Sequence, residues 1–511
     1  VSQCRPRSIK ALRPYLALVD SFIHSPLHNS QCFSRIYFKT YFNRIHLFCQ
    51  GSFTHILTKK LQVFCMSKKT FFRGTFLLTC AGLLSRIMGF FYRIFLSHTI
   101  GAEGIGLFQL VLPLQTLLLA ITSSGIQTAL SRLIAAHFAT GEHKKARDFF
   151  CLGTLLAFLF SCVASSLLFL KADFFAVQIL REVRTEELLR ILAFSLPLAV
   201  LHSCINSYYF ARKKAAFPSG MQFVEQLVRV GSSFLLYLIC VSNNLPVTAM
   251  IAVGGTLASE LAASILSLLV LSLHFRSCSH RIFQITKPFS DLHEILRTAF
   301  PVTVNRLLLS VLAAIEVVLI PQRLQMYGVS SSEALSIYGI FTGLALPCIL
   351  FPATITNSAS VMLMPSVAEM QALGYQKRIH YITVQTLRAS LLLGCICTLI
   401  FYCAGAFIGD LLFQSPTAGA YIQTLSFICP FLYLNTTLTS ILHGLGQTGR
   451  SLVHSTAGIL TRILFVVFAI PVYGIRGYLY GILFSEILLS GLHIYALLMQ
   501  NSKAFPIDKK F

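Results

Sequence analysis

Residues 74–148 read GTFLLTCAGLLSRIMGFFYRIFLSHTIGAEGIGLFQLVLPLQTLLLAITSSGIQTALSRLIAAHFATGEHKKARD. Two apolar segments long enough to cross a bilayer flank the turn Gly101-Ala102-Glu103-Gly104, and the basic residues Lys144, Lys145 and Arg147 close the unit. The first segment carries Arg86 and Arg93 inside otherwise apolar sequence. An arginine at mid-bilayer depth costs roughly 2.5–3.5 kcal/mol on insertion scales, so two in one helix require a cause. Gly82, Arg86, Gly89 and Arg93 recur at helical spacing and share one face. Two cations on a face narrowed by glycines fit the lining of a polar cavity better than a lipid-facing surface.

The rest of the chain extends this pattern. Of 511 residues, 55% are hydrophobic and 12% charged, with a mean hydropathy of +0.73. A soluble domain carries about twice that charge. Repeated apolar runs of helix length define an all-α integral membrane protein and exclude the short alternating strands of an outer-membrane barrel. The net charge of +23 would suggest nucleic acid in a soluble chain. Here it fits the lysines and arginines that hold loops in the cytoplasm, and no nucleic-acid partner is expected. The cysteines lie mostly within apolar runs, where they act as small hydrophobes, and lack ligand spacing. Neither a metal, a cofactor nor a disulfide framework is expected.

Residues 1–65 stand apart. They are basic, hold no uncharged run of spanning length and lack a signal-peptide cleavage pattern, whereas Met66-Ser67-Lys68-Lys69-Thr70 reads as an ordinary start before a membrane helix. The segment is expected to be a disordered basic extension or an over-extended gene model; the mass of the intact protein distinguishes the two.

From there the apolar segments fall at about 75–98, 107–136, 149–171, 188–211, 219–241 and 247–274, then at about 292–320, 335–364, 384–409, 419–444, 451–472 and 475–499. About twelve transmembrane helices in two bundles of six are expected, over residues 66–280 and 281–511. Lysine and arginine concentrate in alternate loops, such as Lys144/Lys145/Arg147, Arg212/Lys213/Lys214 and Lys377/Arg378. That alternation places both termini in the cytoplasm. Leu112-Pro113 through Lys145 aligns with Leu346-Pro347 through Arg378. Six crossings return the chain to its starting side, so the halves are parallel repeats around a central cavity, as in transporters. Prolines inside helices, among them Pro113, Pro197, Pro347, Pro352, Pro365 and Pro430, are either static kinks or hinges for alternating access.

Several motifs together carry a family resemblance. They are Ser85-Arg86-Ile87-Met88-Gly89-Phe90 with Arg93, Gly101 through Gly106, Pro218-Ser219 with Glu225 through Arg229, Tyr338-Gly339 through Pro365, Leu442 through Gln447, and Gly474 through Gly477. The chain from Met66 to about Met499 resembles the polysaccharide-transporter branch of the multidrug/oligosaccharidyl-lipid/polysaccharide exporter superfamily. Within that branch it is most similar to the sporulation proteins and lipid II flippases. The resemblance implies a MATE-like fold and a flippase that exports a saccharide linked to an undecaprenyl (pyro)phosphate carrier across the cytoplasmic membrane. Peptidoglycan or spore-cortex precursors are the substrates it suggests.

The residues agree with an anionic head group. Arginine forks match phosphate oxygens, and Arg86, Arg93 and, at the related place in the second half, Arg306 offer them. The competing reading pairs these arginines with buried carboxylates. Arg132, near a helix end, snorkels. Asn305, Gln222, Gln226, Asn206 and Asn357 are either sugar-facing amides or links between helices. Glu225, Glu260 and Glu316 are candidates for coupling an ion. Glu225 and Arg229, one turn apart, also satisfy each other, and Glu316 alternatively pairs with Arg323. Glu260 and Glu486 serve equally as helix-joining groups. No phosphate-binding nucleotide loop occurs, so membrane potential can drive export. One protomer suffices mechanistically.

Two other functions fit the pattern. A cation-coupled multidrug exporter of the same fold would place acids, not Arg86 and Arg93, along the first helix. A non-transport factor in spore or cell-wall assembly would tolerate loss of those arginines. An enzyme is disfavoured, because no nucleophile–base pair or metal set is legible.

Overall fold

The structure, a computed structural model, describes residues 82–212, 214, 216–276, 288–372 and 374–504. The basic extension 1–65 and most of the loop between the halves lie outside them. Every described residue belongs to one compact unit. Among them, eleven helices have the length and apolar composition to cross a membrane, and they follow a further helix at 82–99. We number that helix α1. The others are α2 (Gly101–Phe138), α3 (His143–Leu170), α4 (Glu186–Ala211), α5 (Ala216–Ser242) and α6 (Met250–Arg276), then α7 (Pro288–Met326), α8 (Ser331–Leu350, continued after a kink as Ala353–Ala372), α9 (Gln376–Phe413), α10 (Pro416–Gly444), α11 (Thr448–Phe468) and α12 (Ile475–Ala504).

Helix ends follow local chemistry. Gly101 takes φ +70° between α1 and α2, a left-handed conformation that glycine adopts without a Cβ clash. Ser330 caps α8, accepting the Glu333 amide at 3.2 Å, in a Ser-x-x-Glu start. Ser415 does the same for α10 through Ala418, with Pro416 following in the first turn. Inside α8 the kink falls at Phe351-Pro352, where proline has no amide to donate. Several helices outrun their apolar segments. α9 begins at Gln376 and α7 at Pro288, because polar turns beyond the bilayer continue the helix without raising hydropathy.

Within the first half α4 packs on α3 and α6, and α5 on α6; within the second α10 packs on α8 and α9, and α11 on α12. The same polar link ties α2 to α4 and α8 to α10. Gln127 Nε2 donates to Ser203 Oγ at 2.8 Å, and Ser360 Oγ to the Thr436 carbonyl at 3.2 Å. Both residues of each pair are separated from their counterparts by one common sequence offset, as expected of a repeat.

The halves meet where α2 crosses α8 and α7. Helices in lipid gain little from burying apolar surface against each other, so close backbone approach through small residues holds them. A Cβ on Gly106 would lie 2.1 Å from the Leu335 carbonyl oxygen, and one on Gly339 2.1 Å from that of Ala102. Around this crossing lies the largest apolar core, with Leu110, Val111, Tyr338, Phe341 and Tyr433. Arg184 reinforces that end, donating to Glu103 at 2.6 Å and to Glu182 at 2.7 Å, while Ser331 Oγ donates to Glu182 at 3.3 Å. Burial opposes the charge of Glu182, but the Arg184 hydrogen bonds outweigh it and hold the carboxyl below its usual pKa.

The crossing makes a direct prediction. Gly106→Leu forces the α2 and α8 backbones apart and destabilises the folded protein by about 1–3 kcal/mol, the usual cost of overpacking. Thermal unfolding in detergent measures it; an unchanged midpoint would show that the approach carries no packing energy.

Candidate functional site

The arginine face of α1 lies between α5 of the first half and the kink of α8 in the second. Arg86 is exposed, and its Nη1 reaches Thr354 Oγ1 at 3.4 Å, just past the kink. Phe90 packs on Phe351 with ring centroids 5.4 Å apart. Arg93 is partly buried near Cys348. On the other side, a Cβ at Gly89 would stand 3.5 Å from Gln226 Nε2 of α5. The amide of Gln226 thus lies at ordinary contact distance beside Gly89 on the arginine face, and Gln222 is exposed one turn earlier on the same helix. Tyr92, one residue before Arg93, is locked to α5 by a 2.9 Å hydrogen bond between its hydroxyl and Ser233 Oγ.

Among the described residues, no carboxylate lies within ion-pair distance of Arg86 or Arg93. The two guanidiniums thus present donors of fixed geometry to the space beside them. The structure does not join every expected residue to this group. Asn305 and Arg306 are exposed on α7, and among the described contacts none ties them to α1. Arg132 is exposed and Asn357 half-buried.

The remaining ionisable groups form two enclosed clusters. In the first half Arg229 Nη2 donates to Glu225 Oε1 at 2.5 Å and Nη1 to Gln226 Oε1 at 3.4 Å. His202 of α4 stands between Glu225, at 3.9 Å, and Glu260 of α6, at 3.1 Å. In the second half Arg462 grips Glu316 with both arms of its fork, at 2.6 and 3.0 Å, and the Tyr478 hydroxyl donates to the same carboxylate at 2.9 Å. Glu316 is therefore paired across the bundle with Arg462 of α11. It is not paired with Arg323, a few residues along its own helix, whose guanidinium turns toward Met326 Sδ. Glu486 accepts from Asn435 Nδ2 at 2.7 Å, and Ser490 completes the link at Asn435 Oδ1.

Sequence reasoning overlooked Arg462, Tyr478, Asn435 and His202. A signal for them existed. Arg229 and Arg462, like His202 and Asn435, stand at the repeat offset seen in the Gln127/Ser360 pair.

A multi-pass bundle of this topology, whose first described helix carries two cations without a carboxylate partner among the described residues, has the architecture of an all-α membrane transporter. Residues 71–371 match the polysaccharide biosynthesis protein family, and the chain belongs to that family, within the polysaccharide-transporter branch of the exporter superfamily. It is 26% identical to "Stage V sporulation protein B" of Bacillus subtilis (strain 168) over 87% of this chain and 86% of that protein. It is 28% identical to "Lipid II flippase MurJ" of the same organism over 31% of this chain and 30% of that one. The fold is similar to that of a multidrug resistance MATE family transporter solved in an inward-facing conformation. The TM-score is 0.64 at 14% identity, covering 83% of this chain and 96% of that one.

The Glu316–Arg462 pair sets a test of the buried network. Arg462→Ala strands a carboxylate that is only 5% exposed, and the cost is about 3–5 kcal/mol. Replacing both partners with apolar residues, as in Glu316→Leu with Arg462→Met, recovers most of that loss. Unfolding midpoints of the single and double variants read the effect. A double variant as unstable as Arg462→Ala would refute a purely pairwise role.

Proposed function

We propose that the protein is a flippase that moves an undecaprenyl-(pyro)phosphate-linked saccharide from the cytoplasmic to the outer leaflet of the cell membrane by alternating access. Its cargo is a peptidoglycan or spore-cortex precursor, or another polysaccharide unit carried on the same lipid. One observation carries this reading. Arg86 and Arg93 share a helix face, lack a described carboxylate partner, and lie against α8 of the opposite half. Unpaired guanidiniums inside a bilayer protein need an anion, and a (pyro)phosphate supplies oxygens that their forks match.

Arg86, Arg93, Gln222 and Gln226 form the head-group site in the first half, and Arg306 with Asn305 extends it from α7 when the halves rearrange. The amides bind sugar hydroxyls. Both termini lie in the cytoplasm, as the loop charges require. An anionic head group leaving a negative-inside cell gains about 2.3 kcal/mol per charge for each 100 mV. That gain drives net export without nucleotide. The names of the relatives, a sporulation protein and a lipid II flippase, support the substrate class.

Purified protein in proteoliposomes is expected to flip fluorescent lipid II. Arg86→Ala and Arg93→Ala each slow flipping about tenfold or more, matching loss of a charged hydrogen bond worth about 1.5–3 kcal/mol. Lysine at either position keeps the charge without the fork and gives an intermediate rate. Alanine variants as fast as the native protein would refute the site. A native protein inactive on lipid II and on other undecaprenyl-linked glycans would refute the function.

A further inference from the structure

The two ionisable clusters occupy matching places and each sets two carboxylates against one guanidinium, yet only the first holds a histidine between its carboxylates. In the second half the position corresponding to His202 is Asn435, which does not titrate, and its amide is fully used by Glu486 and Ser490. Arg462 there is held by a bidentate carboxylate. In the first half the groups facing His202 can be named element by element. α5 presents Glu225 and Arg229, and α6 presents Glu260. α1 adds Tyr92, bonded to Ser233. α2 and α3 meet α4 through neutral groups, Gln127 on Ser203 and Ser165 on the Ala193 carbonyl.

Two carboxylates and one guanidinium leave a net negative charge unless a proton is present, and uncompensated charge in a bilayer interior is costly. The geometry marks where the proton goes. His202 Nδ1 and Glu260 Oε2 are 3.1 Å apart, a contact distance without the angle of an aligned hydrogen bond, and both atoms are buried and unpartnered among the described residues. His202 and Glu260 are only 8% and 7% exposed. Exposure rises along the cluster, to side-chain values of 23% for Glu225 and 24% for Arg229. Arg229 is therefore the open end and Glu260 the closed end, and the imidazole stands between Glu225 and Glu260. Arg229 also touches Gln226, the amide that meets Gly89 on the arginine face of α1.

We propose that the His202–Glu225–Glu260 cluster is a proton-binding site whose filling is linked to capture of a phosphate by Arg229. This rests on the reading of the protein as a carrier of phosphate-linked lipids. A phosphate that draws Arg229 away leaves Glu225 unpaired beside His202 Nε2. The resting cluster already holds one proton, and a second, taken up between His202 and the two carboxylates, replaces the charge of the departed guanidinium. Removal of the phosphate returns Arg229 to Glu225 and releases that second proton. At the corresponding places the second half has Asn435 for His202 and His493 for Glu260, so the linkage belongs to the first half alone.

The test is titration calorimetry on the full chain in detergent, in two buffers of different ionisation enthalpy, between about pH 6 and pH 8. The probe is farnesyl-diphosphate-linked N-acetylglucosamine, whose phosphates keep their charge across that range and contribute no proton. The native protein is expected to take up close to one proton per bound molecule, with affinity falling as pH rises, by at most about tenfold per pH unit for one linked proton. Glu225→Gln leaves Arg229 permanently free. It abolishes the uptake and tightens binding at pH 8. His202→Asn copies the second half and abolishes the uptake while binding stays weak throughout. Native binding with neither buffer nor pH dependence overturns the linkage and leaves the lipid-phosphate reading intact. Uptake that persists in both variants overturns the assigned site. A folded native protein that binds no probe at any pH overturns both readings.

Discussion

A guanidinium inside a bilayer must find negative charge, and the fate of four arginines organises this molecule. Arg462 finds Glu316, and Arg229 finds Glu225, each within its own half. Among the described residues, Arg86 finds the Thr354 hydroxyl, on a helix of the opposite half, and Arg93 lies near Cys348 of that same helix. The paired arginines hold helices together. Those on α1 have no carboxylate partner among the described residues and sit where the halves face each other.

That position depends on close contact elsewhere. α2 crosses α8 at Gly106 and Gly339 with backbone almost touching backbone, and Arg184 ties the same end through Glu103 and Glu182. The seam therefore combines glycine contacts and a half-exposed ion network with the apolar core around Leu110, Val111, Tyr338 and Phe341. The kink at Phe351-Pro352 lies beside the arginine face, so a shift of either arm of α8 changes the distance between Arg86 and Thr354.

Much of the architecture was legible in the sequence, because a bilayer imposes its thickness on hydropathy. The helix ends were less so. α7 and α9 run several turns past their apolar segments, since hydropathy reports where lipid is and not where the backbone stays helical. The face bearing Arg86 and Arg93 followed from spacing alone, whereas the place of Gln226 beside Gly89 came only with the packing of α5 on α1. The partner of Glu316 was missed because proximity along the chain favoured Arg323, whereas Arg462 comes from four helices further on. Only the repeat would have revealed it, by setting Arg462 at the place of Arg229. His202 was missed for a related reason. A lone histidine in an apolar helix carries no signal until tertiary packing brings Glu225 and Glu260 to either side.

The central claim is that an anion crosses the membrane beside α1. The measurement that tests it most directly is the rate at which purified protein flips a lipid-linked saccharide in proteoliposomes as the potential is clamped at successive values. The account predicts a rate that rises as the side holding the substrate is made more negative, with a slope set by the head-group charge and about 2.3 kcal/mol per charge per 100 mV as its upper limit. Flipping that ignores the potential, or that runs faster with the opposite sign, would contradict it.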